Sequence, residues 1–316
     1  MYFSHARTAL KCSLSIYRFG DGDRILVPDF VCDALIQPLH DLGIIPVYYP
    51  TDDQLRPLWD DLDQIVNLQQ CHAIVMLHYF GQPQKISQFQ SFCKLNNLLL
   101  IEDNAHGFGG KLDGKTLGTF GDIGIVSPRK ILNTRYGGQL YIKGVLQPAP
   151  KFLAKNSQQL LYWAIKSFFS KRPLIRNRIF KILGRKPDMH DAFSLKETKI
   201  DDSRSDWFSS WIIDKAIRND YTDWIAEKRR LKWIAVNCVV LKLGGIPVFT
   251  NVSEQSSPWA YPFYVNSKEQ KEVIHKQLTD AGYVIFPWPA LPNKILTGEN
   301  HANVLIRWHR LLCVSL

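Results

Sequence analysis

The apolar residues of this chain come in short, unbroken runs set apart by helical patterns. Arg24-Ile25-Leu26-Val27-Pro28, Ile44-Ile45-Pro46-Val47-Tyr48-Tyr49, Ala73-Ile74-Val75-Met76-Leu77 and Leu98-Leu99-Leu100-Ile101 are each too short for a helix. Continuous runs of this kind, rather than alternating ones, predict strands covered on both faces, as in a parallel sheet. The helical stretches between them supply a β–α–β rhythm. A stretch including Leu10, Leu14 and Tyr17 predicts a first helix, with Thr8 in its cap region. Gln139-Leu140-Tyr141-Ile142 predicts a further strand, and Ser203 to Trp233 a helical segment. From Gly244 onward the pattern changes: a strand at Tyr261–Val265, a helix at Lys268–Ala281 and a strand at Tyr283–Phe286. The expected organisation is a large α/β unit over residues 1–243 and a small α+β unit over 244–316.

Chemistry-bearing residues gather where the buried runs stop. Leu98–Ile101 gives way to Glu102-Asp103-Asn104-Ala105-His106-Gly107, and the carboxyl ends of buried strands are where open α/β sheets place their sites. Next come Gly121-Asp122-Ile123-Gly124, Ser127-Pro128-Arg129-Lys130 and Tyr136-Gly137-Gly138. A lysine for covalent attachment, a carboxylate to face a pyridinium nitrogen and donors for a phosphate together suit pyridoxal 5'-phosphate. Taken singly, each residue has a plainer reading. Lys130 could be a solvated surface lysine, and His78 in His78-Tyr79-Phe80-Gly81-Gln82-Pro83 a hydrogen-bonded structural histidine.

The ordered set Ile101-Glu102-Asp103-Asn104-Ala105-His106, Gly121-Asp122-Ile123-Gly124, Ser127…Lys130 and Gly137-Gly138 resembles the DegT/DnrJ/EryC1/StrS family of sugar aminotransferases. Gly20-Asp21-Gly22-Asp23 before Val27-Pro28, and Trp288-Pro289-Ala290-Leu291-Pro292, are similar to further stretches of that family. The resemblance implies a fold-type-I pyridoxal-phosphate enzyme: a mostly parallel sheet flanked by helices, with a small C-terminal α+β domain. It implies a homodimer that moves an amino group from an amino acid, usually glutamate, to a nucleotide-linked keto-sugar for a surface polysaccharide or related glycan. By resemblance Lys130 carries the cofactor, Asp103 faces its ring nitrogen and His106 contacts its ring hydroxyl or the aspartate. Thr8, Ala9 and Ser127 hold its phosphate. Phe30 or Cys32 lies against the ring, the register being open. The chain departs from the commoner family pattern in a shorter serine–lysine spacing and in Asn133-Thr134-Arg135-Tyr136 before the glycine pair. Family members that are dehydratases carry histidine in place of the lysine, so Lys130 points away from them. Two other classes stay open: a non-catalytic relative that binds a membrane or partner, and a pyridoxal-phosphate enzyme of another reaction type.

Composition changes the picture in one place. Overall, 46% hydrophobic and 22% charged residues over 316 positions are ordinary values for a large globular enzyme. No run of apolar residues has the length of a membrane span, and the start lacks a signal peptide's apolar core. A cytoplasmic setting is expected. The six cysteines have no paired metal-type spacing and read as reduced thiols, so no metal site is expected. The net charge of +10 suits an anionic nucleotide substrate. That excess is concentrated in residues 151–187, where Lys151, Lys155, Lys166, Lys171, Arg172, Arg176, Arg178, Lys181, Arg185 and Lys186 occur with no acid. With Tyr162, Trp163, Phe168 and Phe169 interleaved, the segment reads as a helix packed on its own core or as a surface-lying membrane helix. Nucleic acid is the least favoured partner for it.

Overall fold

The computed structural model describes residues 2–132, 134–150, 205, 207–219, 221–298 and 302–316. The basic segment 151–187 lies outside the described residues. A seven-stranded sheet comprises β1 (Arg24–Pro28), β2 (Ile45–Tyr49), β3 (Ala73–Leu77), β4 (Leu99–Asn104), β7 (Ile123–Val126), β8 (Gln139–Ile142) and β9 (Val145–Gln147), in the order β2-β1-β3-β4-β7-β8-β9. The first five run parallel, whereas β8 and β9 are antiparallel. A small hairpin, β5 (Lys111–Leu112) with β6 (Lys115–Thr116), stands apart.

The apolar runs in the parallel strands are unbroken because alternate side chains enter different cores. Ile25, Val27, Val75, Ile101 and Ile123 pack with Leu10 and Leu14 of α1 (Ala6–Ile16) and Leu35, Ile36 and Leu39 of α2 (Asp33–His40). Leu26, Ile74, Met76 and Leu100 point the other way, onto Leu62 and Val66 of α3 (Trp59–Gln69) and Phe89 and Phe92 of α4 (Ile86–Asn96). The result is three layers, helix, sheet and helix. Each such side chain contributes roughly 1.5–3 kcal/mol on burial, which is why the runs carry no polar interruption.

Between β7 and β8 lies a five-residue helix, α5 (Pro128–Leu132). The chain then continues in α6 (Trp207–Arg218) and the 22-residue α7 (Tyr221–Lys242). The single helical segment expected from Ser203 to Trp233 is therefore two helices. The break follows Arg218, at Asn219, a residue that favours caps and turns over helix interiors. A second, wholly antiparallel sheet holds β10 (Ile246–Pro247), β11 (Ala260–Tyr264), β12 (Ile285–Pro287) and β13 (Leu311–Ser315), ordered β10-β11-β13-β12. It packs on Trp233, Val236 and Val240 of α7 and on Ile274 and Leu278 of α8 (Lys268–Asp280). A short α9 (Asn293–Thr297) and α10 (Ala302–Arg310) precede β13, a strand the pattern analysis left unassigned.

Several polar contacts among the described residues tie this part of the chain to the larger sheet's end. Arg307 of α10, 4% exposed, reaches Asp29 at 3.5 Å and donates to Thr51 Oγ1 at 3.0 Å, while Tyr264 Oη donates to Asp53 O at 3.0 Å. No helix among the described residues is long and apolar enough to cross a membrane.

Backbone crowding explains Gly124 in the Gly121-Asp122-Ile123-Gly124 motif: a Cβ there would overlap the Gly118 carbonyl. Gly124→Ala should therefore cost about 3 kcal/mol or more in a denaturant titration. A loss under about 1 kcal/mol would mean the 118–124 backbone yields freely.

Candidate active site

Three strand ends and one helix start converge. β4 carries Glu102 and Asp103 side by side, and strand alternation sends them to opposite faces. Glu102 is fully buried. Its Oε1 accepts from Gly118 N at 2.6 Å and from His78 Nε2 at 2.9 Å; its Oε2 accepts from Phe120 N at 2.6 Å and Gly121 N at 3.0 Å. His78 Nδ1 accepts the Gln84 N–H at 3.0 Å, which places its proton on Nε2. Burial works against the Glu102 charge, but the His78 bond and the backbone N–H groups outweigh it and hold the carboxyl below its usual range. His78 is thus the hydrogen-bonded structural histidine of the plainer sequence reading.

Asp103 faces the other way, 5% exposed, with Oδ1 accepting the Ala105 N–H at 2.7 Å. Burial raises its pKa, opposed by that bond and by Lys130 nearby. His106 lies beside it. Its Nδ1 accepts from Phe80 N at 3.2 Å, leaving Nε2–H as a donor, and its ring stacks on Trp259 at 4.7 Å between centroids. Burial, reinforced by Lys130, keeps this imidazole neutral.

Lys130 sits on α5, three residues past the buried Ser127 that ends β7; its backbone N donates to Ser127 O at 3.2 Å. Its Nζ lies 4.7 Å from the centre of the Trp259 ring. Burial pulls this amine down to about 8; Cys32 and Asp103 oppose the shift and Arg129 adds to it. Lys130 is therefore not a solvated surface lysine. Of the two residues left open beside the ring, Cys32 feels the charges of Lys130 and Asp103, and Phe30 is fully buried 5.3 Å from Trp288.

The start of α1 is fixed by Phe3, which exchanges backbone hydrogen bonds with Gly138 at 2.9 and 2.7 Å. A Cβ on Gly138 would overlap the His5 carbonyl, which accounts for the glycine there. His5 is the N-cap, in extended backbone conformation, and its side chain makes no cap bond; the start of α1, with its partial positive charge, faces this end of the site. Thr8 lies in the first turn of α1, its hydroxyl 3.2 Å from Ser4 Oγ. Ala9 follows it, fully buried, with its N–H donating to His5 O at 3.1 Å.

Sequence reading missed the cations here. Burial, then Arg129 and Arg7, lowers the His5 imidazole to about 3, and its Nδ1 is buried without a hydrogen-bond partner. Burial and Arg7 likewise lower the Arg129 guanidinium. Arg7 and Arg129 bring positive charge to the start of a helix, the setting of an anion site. Among the described residues no cluster of histidine, cysteine or carboxylate could hold a metal.

With this geometry in hand, the chain can be set beside known proteins. A model of the DegT/DnrJ/EryC1/StrS aminotransferase family matches residues 2–143, the part that contains α1, Asp103, His106, Ser127 and Lys130. Residues 2–143 belong to the DegT/DnrJ/EryC1/StrS family. The chain is 28% identical over 169 residues to the dTDP-4-dehydro-2,3,6-trideoxy-D-glucose 4-aminotransferase of Saccharopolyspora spinosa, covering 52% of this chain and 42% of that protein. It is 31% identical over 140 residues to the GDP-perosamine synthase of Escherichia coli O157:H7, covering 43% and 38%. The matches thus span about two fifths of these relatives' lengths. The fold extends further. A DegT/DnrJ/EryC1/StrS aminotransferase from Brucella abortus superposes with TM-score 0.71 at 17% identity, over all of this chain and 80% of that one. The Escherichia coli GDP-4-keto-6-deoxy-D-mannose-3-dehydratase with bound hydrated PLP superposes with TM-score 0.65 at 17% identity, over all of this chain and 82% of the other. The described residues therefore have the fold of these solved structures.

The buried neutral His5 gives a pH prediction. Unfolded, it takes up a proton below pH 6.5; folded, only near 3, so the unfolded state binds more protons between these values and stability falls as pH falls. Denaturation of the cofactor-free protein from pH 7 to 4 should show a steeper loss in the wild type than in His5→Asn. Identical slopes would contradict a buried, uncharged His5.

Proposed function

We propose that this chain is a pyridoxal-phosphate-dependent aminotransferase that passes an amino group from an amino acid, glutamate by family habit, to a nucleotide-linked keto-sugar. The single observation that carries this reading is Lys130: an amine lowered to about 8, beside a buried carboxylate, in the same site as a cationic anion cradle. The donor set fits the cofactor. Asp103 would hold the proton of the ring nitrogen, and a buried carboxylate with one oxygen already hydrogen-bonded is suited to that charge. His106 would offer its Nε2–H to the ring hydroxyl. Arg7, Arg129, His5 and the first turn of α1 would hold the phosphate, with Ser127 beside them. When bound, the cofactor supplies an electron sink for a carbanion at the carbon that bears nitrogen. Lys130, partly deprotonated near neutral pH, supports attachment and then takes up and returns the proton at Nζ. Trp259, under a tenth exposed, lies over that amine and shields it from water.

The wider reading follows the relatives. Division at residue 243/244 into a large cofactor-binding unit and a small α+β unit, a homodimer and a cytoplasmic setting all belong to the proposal. So does peripheral contact of residues 151–187 with the inner membrane face, motivated by ten cations without an acid.

Adding pyridoxal phosphate to the purified protein should produce a protein-bound visible band that glutamate bleaches. Borohydride reduction should then leave the label on the Lys130 peptide. Lys130→Ala should show no band and lose about 10²–10⁴ in turnover. No band in the wild type would sink the proposal and leave a non-catalytic family relative.

A further inference from the structure

Helix α7 carries two apolar faces. One is used inside the molecule: Ala226, Trp233, Val236 and Val240 are buried. On the other, Trp224 (49% exposed), Leu231 (53%), Ile234 (48%) and Leu241 (52%) lie in solvent. Their spacing of seven, three and seven residues keeps them on one stripe of the helix, about 25 Å long at the usual rise. Aromatic residues enlarge this surface at its N-terminal end. Trp207 (63%) and Trp211 (51%) stand one turn apart on α6, and Tyr221 (45%) stacks on Trp224 at 5.0 Å. Lysines lie over these rings: Lys215 Nζ is 5.1 Å from Trp211 and Lys228 Nζ is 5.9 Å from Trp224.

The charges select the occupant. Lys215, Arg218, Lys228, Lys232 and Lys242 lie along the two helices, against Asp214, Asp223 and Glu227. Asp223 is ion-paired with Lys111 at 2.8 Å, which leaves Asp214 and the exposed Glu227 against the five cations, a net positive face. A second copy of the same stripe would set Lys228, Lys232 and Lys242 against like charges, which disfavours self-pairing. Exposed tryptophan and tyrosine carrying lysines on their faces, continued by leucine and isoleucine, have the composition that settles at the headgroup level of a bilayer. We propose that the outer face of α6 and α7 docks on an anionic lipid surface, with Trp207, Trp211, Tyr221 and Trp224 at headgroup depth and Leu231, Ile234 and Leu241 against acyl chains. The docking rests on these described helices alone and does not depend on the amino-transfer reading.

The test is sedimentation of the full chain with vesicles of phosphatidylcholine, without and with about a third phosphatidylglycerol. The expected result is binding to the anionic vesicles that weakens with salt, and quenching of tryptophan fluorescence by brominated lipid. Lys215→Gln with Lys228→Gln should lower the partition coefficient about thirtyfold, near one decade and a half for two cations. Trp211→Ser with Trp224→Ser should reduce the quenching to the share left by Trp207 while circular dichroism stays unchanged, since both side chains are exposed. Wild-type protein that stays in the supernatant would overturn the proposal, as would variants that bind like the wild type. A stripe variant that dissociates a dimer with vesicle binding intact would also overturn it and assign the face to a protein partner. Binding that persists in a chain that takes up no cofactor would leave this inference standing.

Discussion

Glu102 is a charge without solvent, and much of the molecule is arranged to keep it. Its two oxygens collect His78 and three backbone N–H groups, so one side chain fastens the end of β3, the interior of β4 and the turn at Gly118–Gly121. Removing one partner of a buried pair of this kind costs on the order of 3–5 kcal/mol, because the remaining charge is stranded. Strand alternation then converts that anchorage into chemistry: Asp103, the next residue, is turned to the opposite face on backbone that cannot shift. The neighbouring strands β3 and β7 deliver His78 and Ser127 to the same edge, and α5 carries Lys130 above it.

The site has two electrostatic ends. At one, Asp103 and Lys130 restrain each other in a buried setting where neither charge is well solvated. At the other, Arg7 and Arg129 crowd positive charge around a helix start and keep the neighbouring His5 neutral. The Phe3–Gly138 pairing brings the second end to the first, since it ties the chain's beginning to the strand that follows Lys130. A ligand with a protonated ring nitrogen at one end and a phosphate at the other matches that polarity. The small sheet completes the enclosure: β11 begins just past Trp259, whose backbone N donates to Phe80 O at 3.0 Å and whose ring covers the lysine.

What the sequence revealed followed from burial. Strands β1 to β4 were legible because both faces are covered, which leaves runs such as Ala73–Leu77 without a polar residue. Asp103 and Lys130 were legible because they follow such runs. The helical break after Arg218 was obscured by aromatic residues on both sides of it. β13 was left unassigned although Leu311–Val314 is itself a short apolar run; its place between β11 and β12 depends on pairings distant in the chain. Trp259 gave no signal, since it reaches Lys130 only through folding of a strand more than a hundred residues later. The anion site was half-read. Thr8 was noticed as a helix-start residue, but the convergence of Arg7 and Arg129 depends on a tertiary contact between chain segments more than a hundred residues apart.

The central claim is that one ligand bridges Lys130 and the start of α1. A crystal structure of the chain soaked with pyridoxal phosphate tests this most directly. The account predicts density continuous with Lys130 Nζ, the ring nitrogen within hydrogen-bond distance of Asp103, and the phosphate among Arg7, Arg129 and the first-turn N–H groups. Density joined to any other lysine, or a phosphate lodged away from α1, would contradict it.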